Sequence, residues 1–391
     1  MNSATIATQW RQLSAHQHTV RVTSIALLSG LAVVLPLRAT ALPLVSTSIA
    51  QAQTSQSNNP RLNELLRQGR QLVDAGNVAG AIAAYEEAAT LQPSNARIFS
   101  GIGFLQARQG NHAAAAEAFE RAVALDNDNA AFYYALGFSR ANLNSNAEAA
   151  AAYRRATELD SNNVQAFLGL GVVLARTGDY DGAIRAYQQV ATRQPNNAQV
   201  QEALGTAYLQ QERYSEATTV LQQAARLAPR DGSVQLNLSV ALLNSGNVPA
   251  GLAAMERAAE LEPRNGQIYM QMGDIFRMQG NDDRALGAYQ RAVSLQPRLL
   301  AAHQAIGAIL LAQGDYLRAI VTYREVVELV PQDADAHYQL GVALQGRDRG
   351  TEAITAFEQA RNLYEQQGNE AGVEKAEAAI EDLQPRRRRG D

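Results

Sequence analysis

The chain has 391 residues, 46% of them apolar, with 34 basic and 38 acidic side chains, a formal net charge of −4 and no cysteine. The missing thiols exclude a disulfide framework, a thiolate metal site, a catalytic thiol and a cysteine-borne lipid anchor. Between Arg61 and Pro385 stand 27 basic and 37 acidic residues, a net of −10, which is not the electrostatic footprint of a nucleic-acid binder.

Residues 1–52 read as an export leader or N-terminal anchor. They hold Arg11, Arg21 and Arg38 and no acid, then a run from Ser24 to Leu37 that is apolar apart from small residues. Two small-x-small sites follow, Ala39-Thr40-Ala41 and Ala50-Gln51-Ala52. A basic lead, an apolar stretch of about 7–15 residues and such a site mark a secretory signal. The second site is preferred, because residues 53–61 form a polar linker suited to a mature N-terminus. The apolar run is shorter than the roughly 20 residues that span a bilayer. Cleavage and delivery to a periplasm or thylakoid lumen are therefore expected. An uncleaved membrane anchor and a cytosolic protein with a loose N-terminus are the alternatives.

From Leu62 the chain repeats with a period of 34 residues. Glycine returns at Gly69, Gly103, Gly137, Gly171, Gly205, Gly273, Gly307 and Gly341, with Ser239 in the single gap. Three further ladders run in register, starting from a small Ala81, a bulky Tyr85 and a small Ala88. Their spacings of four and three put them on one helical face. Prolines such as Pro93, Pro195 and Pro297 recur near the end of the period, where a ring without N–H stops a helix. Mid-period glycines, among them Gly76, Gly110 and Gly178, supply a turn tolerant of positive φ. Each unit is therefore helix, tight turn, helix, turn, and nine units fill residues 62–367.

Residues 368–384 read as one further helix, with Val373, Ala376, Ile380 and Leu383 on a dry face and acids on the wet one, a cap for the last unit. Residues 385–391 form a basic tail holding Arg386 to Arg389, expected to be a disordered, solvated terminus. Peripheral contact with an anionic membrane is the secondary reading of that tail.

Counted from Leu62 as position 1, this pattern resembles the tetratricopeptide repeat. Phe167, Leu170 and Gly171, or Tyr269, Met272 and Gly273, stand where that family carries an aromatic at position 4, Leu at 7 and Gly at 8. Departures are local: Asn127, Ser161 and Glu365 replace the proline, Gln201 and Gln235 the position-4 aromatic, and Ser239 with Gly251 weakens the sixth unit. The resemblance implies an all-α, right-handed superhelical solenoid of antiparallel helix pairs with a C-terminal capping helix. The small residues at positions 8 and 20 are expected to face each other where the two helices of a unit approach most closely.

The resemblance also implies a concave groove lined by first helices. Carried over residue by residue, its positions 5, 9 and 13 give Phe104, Arg108, Tyr134, Phe138, Asn142, Leu168, Val172, Arg176, Gln210 and Asn244 as a candidate peptide-binding groove. Position 6 reads Gly101, Ala135, Gly169 and Ala203 in the second to fifth units, an open floor on which an amphipathic helix could lie. The competing reading packs Phe104, Tyr134, Phe138 and Leu168 against adjacent helices. No groove lysine is present to clamp a terminal carboxylate, and Asn237 is the only asparagine at position 6.

A search for chemistry yields little. His303 and His337 recur one period apart and read as substitutes for the position-4 aromatic rather than as metal ligands. Gly101-Ile102-Gly103 and Gly169-Leu170-Gly171 lie mid-helix with no preceding strand, which excludes a phosphate loop. No enzyme activity, cofactor or metal is expected. The expected role is a non-enzymatic scaffold that binds a protein or peptide segment during assembly of an envelope or thylakoid complex. A self-associating structural solenoid without a client is the alternative, and the oligomeric state is left open.

Overall fold

Asparagine and aspartate open most of the helices. Asn163, for example, accepts from the Ala166 N–H at 3.0 Å and Asp333 from the Ala336 N–H at 2.9 Å, satisfying donors that a helix start leaves without partners. The computed structural model describes residues 58–387, and all regular structure among them is helical. The expected leader, most of the linker and the end of the basic tail lie outside the described residues.

The helices run in consecutive pairs. α1 (Pro60–Asp74) pairs with α2 (Val78–Leu91), α3 (Ala96–Arg108) with α4 (His112–Leu125), and α5 (Ala130–Asn142) with α6 (Asn146–Leu159). α7 (Val164–Arg176) pairs with α8 (Tyr180–Arg193), α9 (Ala198–Gln210) with α10 (Tyr214–Leu227), and α11 (Gly232–Asn244) with α12 (Val248–Leu261). α13 (Gly266–Met278) pairs with α14 (Asp282–Leu295), α15 (Leu300–Ala312) with α16 (Tyr316–Leu329), and α17 (Ala334–Gly346) with α18 (Gly350–Gln366), before a last helix, α19 (Glu370–Arg387). The expected all-α succession of helix pairs followed by a C-terminal helix is what the described residues form.

Two compact units divide within α12, the first ending at Gly251 and the second beginning at Leu252. In the first, each helix from α1 to α10 packs on its successor, and the first helices also touch one another, α3 on α5, α5 on α7 and α9 on α11. In the second, each helix from α13 to α18 packs on its successor.

The turn inside each pair needs one residue in the left-handed region. Six glycines fill it, from Gly76 at φ 75° to Gly314 at 71°, while Asn144 (59°), Glu212 (57°) and Asp348 (56°) take the same place without being glycine. Asparagine and aspartate tolerate that conformation; glutamate does so at a cost of roughly 1–2 kcal/mol.

The glycine ladder has a different partner from the one its spacing suggested. A methyl group on Gly171 would lie 2.5 Å from Tyr187 Cε1, one on Gly273 2.4 Å from Tyr289 Cε1 and one on Gly341 2.5 Å from Phe357 Cε1. Position 8 is thus a seat for the ring at position 24 of the same pair, and the alanine at position 20, although fully buried, is not its facing residue. The ring side chain reaches back along its helix toward the N-terminus and so lands on the glycine.

The open floor expected at position 6 exists in part. Gly101 has nothing within 4 Å of where a methyl would stand, but a methyl on Gly169 would meet Tyr153 Cζ at 2.5 Å. Tyr153 is fully buried and cannot step aside.

At the C-terminus, Ala376, Ile380 and Leu383 of α19 are buried, and Val373 packs against the cluster of Ala334, Ala360, Leu363 and Tyr364. The Lys375 ammonium stands 4.0 Å from the centre of the Tyr338 ring. The helix runs to Arg387, past the expected end at residue 384.

Two outcomes follow for denaturation experiments. Gly169→Ala should lose about 1–3 kcal/mol by overpacking against Tyr153, whereas Gly101→Ala should be neutral or gain up to about 1 kcal/mol from helix propensity; equal losses at both sites would overturn the assignment. Glu212→Gly should raise the melting temperature by releasing about 1 kcal/mol of backbone strain, and Asn144→Gly should raise it less.

Candidate functional site

The ten residues expected to line a groove all belong to the first unit, on α3, α5, α7, α9 and α11, and the structure divides them by depth. Phe104, Tyr134 and Val172 are buried, at 7%, 2% and 3% exposure. Phe104 belongs to the core cluster with Leu105 and Phe119, and Tyr134 stacks obliquely on Tyr153, ring centres 5.9 Å apart. Phe104 and Tyr134 are packed as the competing reading has them, and Val172, which that reading did not name, is buried too. Phe138 and Leu168 are half-buried and keep an apolar edge at the surface. The His112 ring meets Phe138 edge-on at 5.9 Å.

The position-13 side chains behave as a polar border. Arg108, Asn142, Arg176 and Asn244 are exposed and Gln210 is half-buried. The Arg108 guanidinium lies 6.0 Å from the centre of the Phe104 ring. Asn142 Nδ2 donates to the Phe138 carbonyl at 2.8 Å and Asn244 Nδ2 to the Val240 carbonyl at 2.9 Å, so each amide is turned onto its own helix. Arg176 Nη1 reaches across to the Ala141 carbonyl at 3.5 Å.

A polar notch between α9 and α11 stands beside this border. Glu202, at position 5 of α9, is 8% exposed. Its Oε1 accepts from Ser233 Oγ at 2.7 Å and Asn237 Nδ2 at 3.2 Å, both on α11. Ser233 Oγ also lies 2.8 Å from Asp231 Oδ1, the cap of that helix. Burial pushes the Glu202 carboxyl above its ordinary range, and the two hydrogen bonds oppose that shift only in part. The sequence held a signal here: Glu202 is the one acid in a position-5 ladder of Leu66, Ser100, Tyr134, Leu168, Leu236, Met270, Gln304 and Tyr338.

The second unit carries its own half-buried acid. Asp274, at position 9 of α13, accepts from the Tyr289 hydroxyl at 2.7 Å, and burial raises its carboxyl while that bond lowers it. Tyr323 is pushed up to about 12, chiefly by burial. Gln271, three residues before Asp274 on α13, has its Oε1 buried without a hydrogen-bond partner among the described residues.

The polar replacements at position 4 share one role. Gln201 Nε2 donates to the Pro195 carbonyl at 3.3 Å, and the Nε2 atoms of His303 and His337 lie 2.8 Å from the Pro297 carbonyl and 3.0 Å from the Pro331 carbonyl. Each ties its helix to the turn before it. His303, 4% exposed, also has Nδ1 3.1 Å from Glu325 Oε2 on α16. Where the ring is aromatic instead, an arginine of the paired helix stands over it, as Arg121 does over Phe99 at 5.7 Å and Arg291 over Tyr269 at 5.7 Å. Among the described residues no three or more His, Asp or Glu side chains come together as metal ligands, and no helix is long and apolar enough to cross a membrane.

Comparison with known proteins places this geometry in a wider group. The tetratricopeptide repeat family model matches residues 66–130, 134–198, 176–232, 202–250 and 236–299, and a TPR repeat model matches residues 307–346. No curated protein matches the sequence. Among solved structures the chain is similar to YrrB, described as a TPR protein with an unusual peptide-binding site, at 25% identity and a TM-score of 0.44, covering 49% of this chain and 98% of that one. It is similar to MamA at 26% identity and a TM-score of 0.41, covering 44% of this chain and 94% of that one. A tetratricopeptide repeat protein from Parabacteroides merdae ATCC 43184 shares 16% identity at a TM-score of 0.43, covering 64% of this chain and all (100%) of that one. The family models span well over half of the residues, in the register of the helix pairs, and the chain belongs to the tetratricopeptide repeat family.

Proposed function

We propose that the protein is a non-enzymatic interaction scaffold, exported on its leader, whose first-helix wall in the N-terminal unit holds a segment of a partner polypeptide during assembly of an envelope or thylakoid complex. The observation that carries this reading is the pairing of half-buried Phe138 and Leu168 with the exposed border of Asn142 and Arg176. Stacking consumes the apolar faces of Phe104, Tyr134 and Val172 but leaves part of these two rows uncovered. An apolar strip beside polar donors suits a polypeptide, whose side chains need dry contact and whose backbone needs hydrogen-bond partners.

The test changes Phe138 and Leu168 to Ser together and leaves the three buried residues alone. Affinity for a partner co-purified from envelope extract should fall by roughly tenfold or more, the cost of losing a central anchor, while helical content and melting temperature stay near the unaltered values. Unchanged affinity would exclude this wall as the binding surface. Mass-spectrometric reading of the mature protein should find Gln53 at the N-terminus; an intact leader would replace cleavage with anchoring.

A further inference from the structure

Glu202 is a carboxylate that the fold has desolvated without supplying a counter-charge. Both hydrogen bonds it receives within the chain, from Ser233 Oγ and Asn237 Nδ2, end on Oε1. Among the described residues Oε2 accepts none, and it is not sealed in without a partner: the residue keeps 8% exposure, which leaves this oxygen open to a donor from outside. Among the described residues no arginine, lysine or histidine forms an ion pair with it, and the charge that acts on it is the like charge of Asp231. A buried carboxylate of this kind lowers stability unless a cation meets it. Glutamine would fill the same volume and accept the same two bonds, so stability alone gives no reason for an acid here.

The position of the notch supplies a reason. Ser233 and Asn237 are half-buried, so the notch reaches the surface on the face where α9 and α11 lie side by side. The surrounding chain between Arg61 and Pro385 is acidic overall and adds a long-range pull on positive charge. We propose that Glu202 is the anchor for a basic side chain, Arg or Lys, of the polypeptide segment held by the wall, with an N–H donating to Oε2. The proposal rests on the function proposed above and names the chemistry of its ligand, opposite in sign to a groove that clamps a carboxylate.

Selection of random short peptides displayed on phage against the full chain, at neutral pH, tests it. Peptides whose binding is lost in the Phe138→Ser, Leu168→Ser variant should share an Arg or Lys. Their affinity should fall roughly tenfold or more in Glu202→Gln, as expected when one partner of a buried charge pair is removed. Replacing the peptide's basic residue by Gln should cause the same loss, and the two changes together should cost little more than either alone.

A second readout separates binding from a structural role. A raised carboxyl means that the folded state holds its proton more tightly than the unfolded state does. The stability this contributes is present at acid pH and lost as pH rises through the carboxylate range and the raised value. Glu202→Gln should therefore melt higher than the unaltered chain at pH 7, an advantage that vanishes at acid pH. Lower melting of the variant at pH 7 would show that Glu202 is a structural strut and overturn the inference. Wall-dependent peptides without a basic residue, or with equal affinity for Glu202→Gln, would also overturn it and leave the scaffold standing. Failure to recover any wall-dependent peptide would count against both.

Discussion

Seven of the nine helix pairs are held together by a ring lying on a glycine. The ring at position 24 needs the space that the absent side chain at position 8 leaves, and the glycine is tolerated mid-helix, against its usual cost of roughly 0.5–1 kcal/mol, because the ring covers it. Tyr85, Phe119, Tyr153, Tyr187, Tyr289, Tyr323 and Phe357 all sit this way, and Leu221 takes the ring's place over Gly205. The contact sets how near the two helices lie and which side chains face outward from their seam. In the third pair the same ring reaches further, filling the space beside Gly169 in the next first helix. One side chain then fixes both the hairpin and its stacking.

Much of this was legible in the residues. A period held across nine units leaves little freedom, since each unit's apolar face can be buried only by its neighbour. The identity of the facing partner was not legible: positions 20 and 24 lie on the same face, and only the backward lean of the side chain selects the ring. The left-handed turn at Glu212 was hidden because the register forces a conformation on a residue that does not favour it. The groove was harder still. Positions 5 and 9 border both the seam between first helices and the open surface, so Tyr134 and Val172 could go inward while Leu168 and Phe138 stayed half out, with no difference in residue type to announce it.

Departures from the repeat pattern proved informative in a way the regular positions did not. Gln201, His303 and His337 stand where an aromatic is expected, and each turns a nitrogen to the carbonyl of the preceding proline, a group that would otherwise lack a helical donor. Ser239, in the gap of the glycine ladder, is fully buried and spends its hydroxyl on the Leu236 carbonyl at 2.7 Å. Gly251 replaces alanine because Leu243 occupies the space, its Cγ 2.6 Å from where a methyl would stand. These exchanges preserve shape and polar pairing within each unit. Glu202 differs from them, since its exchange adds a charge that no basic side chain among the described residues pairs with.

The contact of Lys375 with Tyr338 reaches beyond packing. The sequence contains no other lysine, so the ε-ammonium over that ring is the sole side-chain amine in the protein. Any acylating reagent, or a cellular acetyl donor, has one internal target, and it lies on the seam between the terminal helix and the pair beneath it. Neutralising that nitrogen would remove the attraction to the ring while leaving the apolar contacts of Ala376 and Ile380 in place. The chain's end thus carries a single chemical handle through which its docking can be tagged, followed or loosened without touching the repeats.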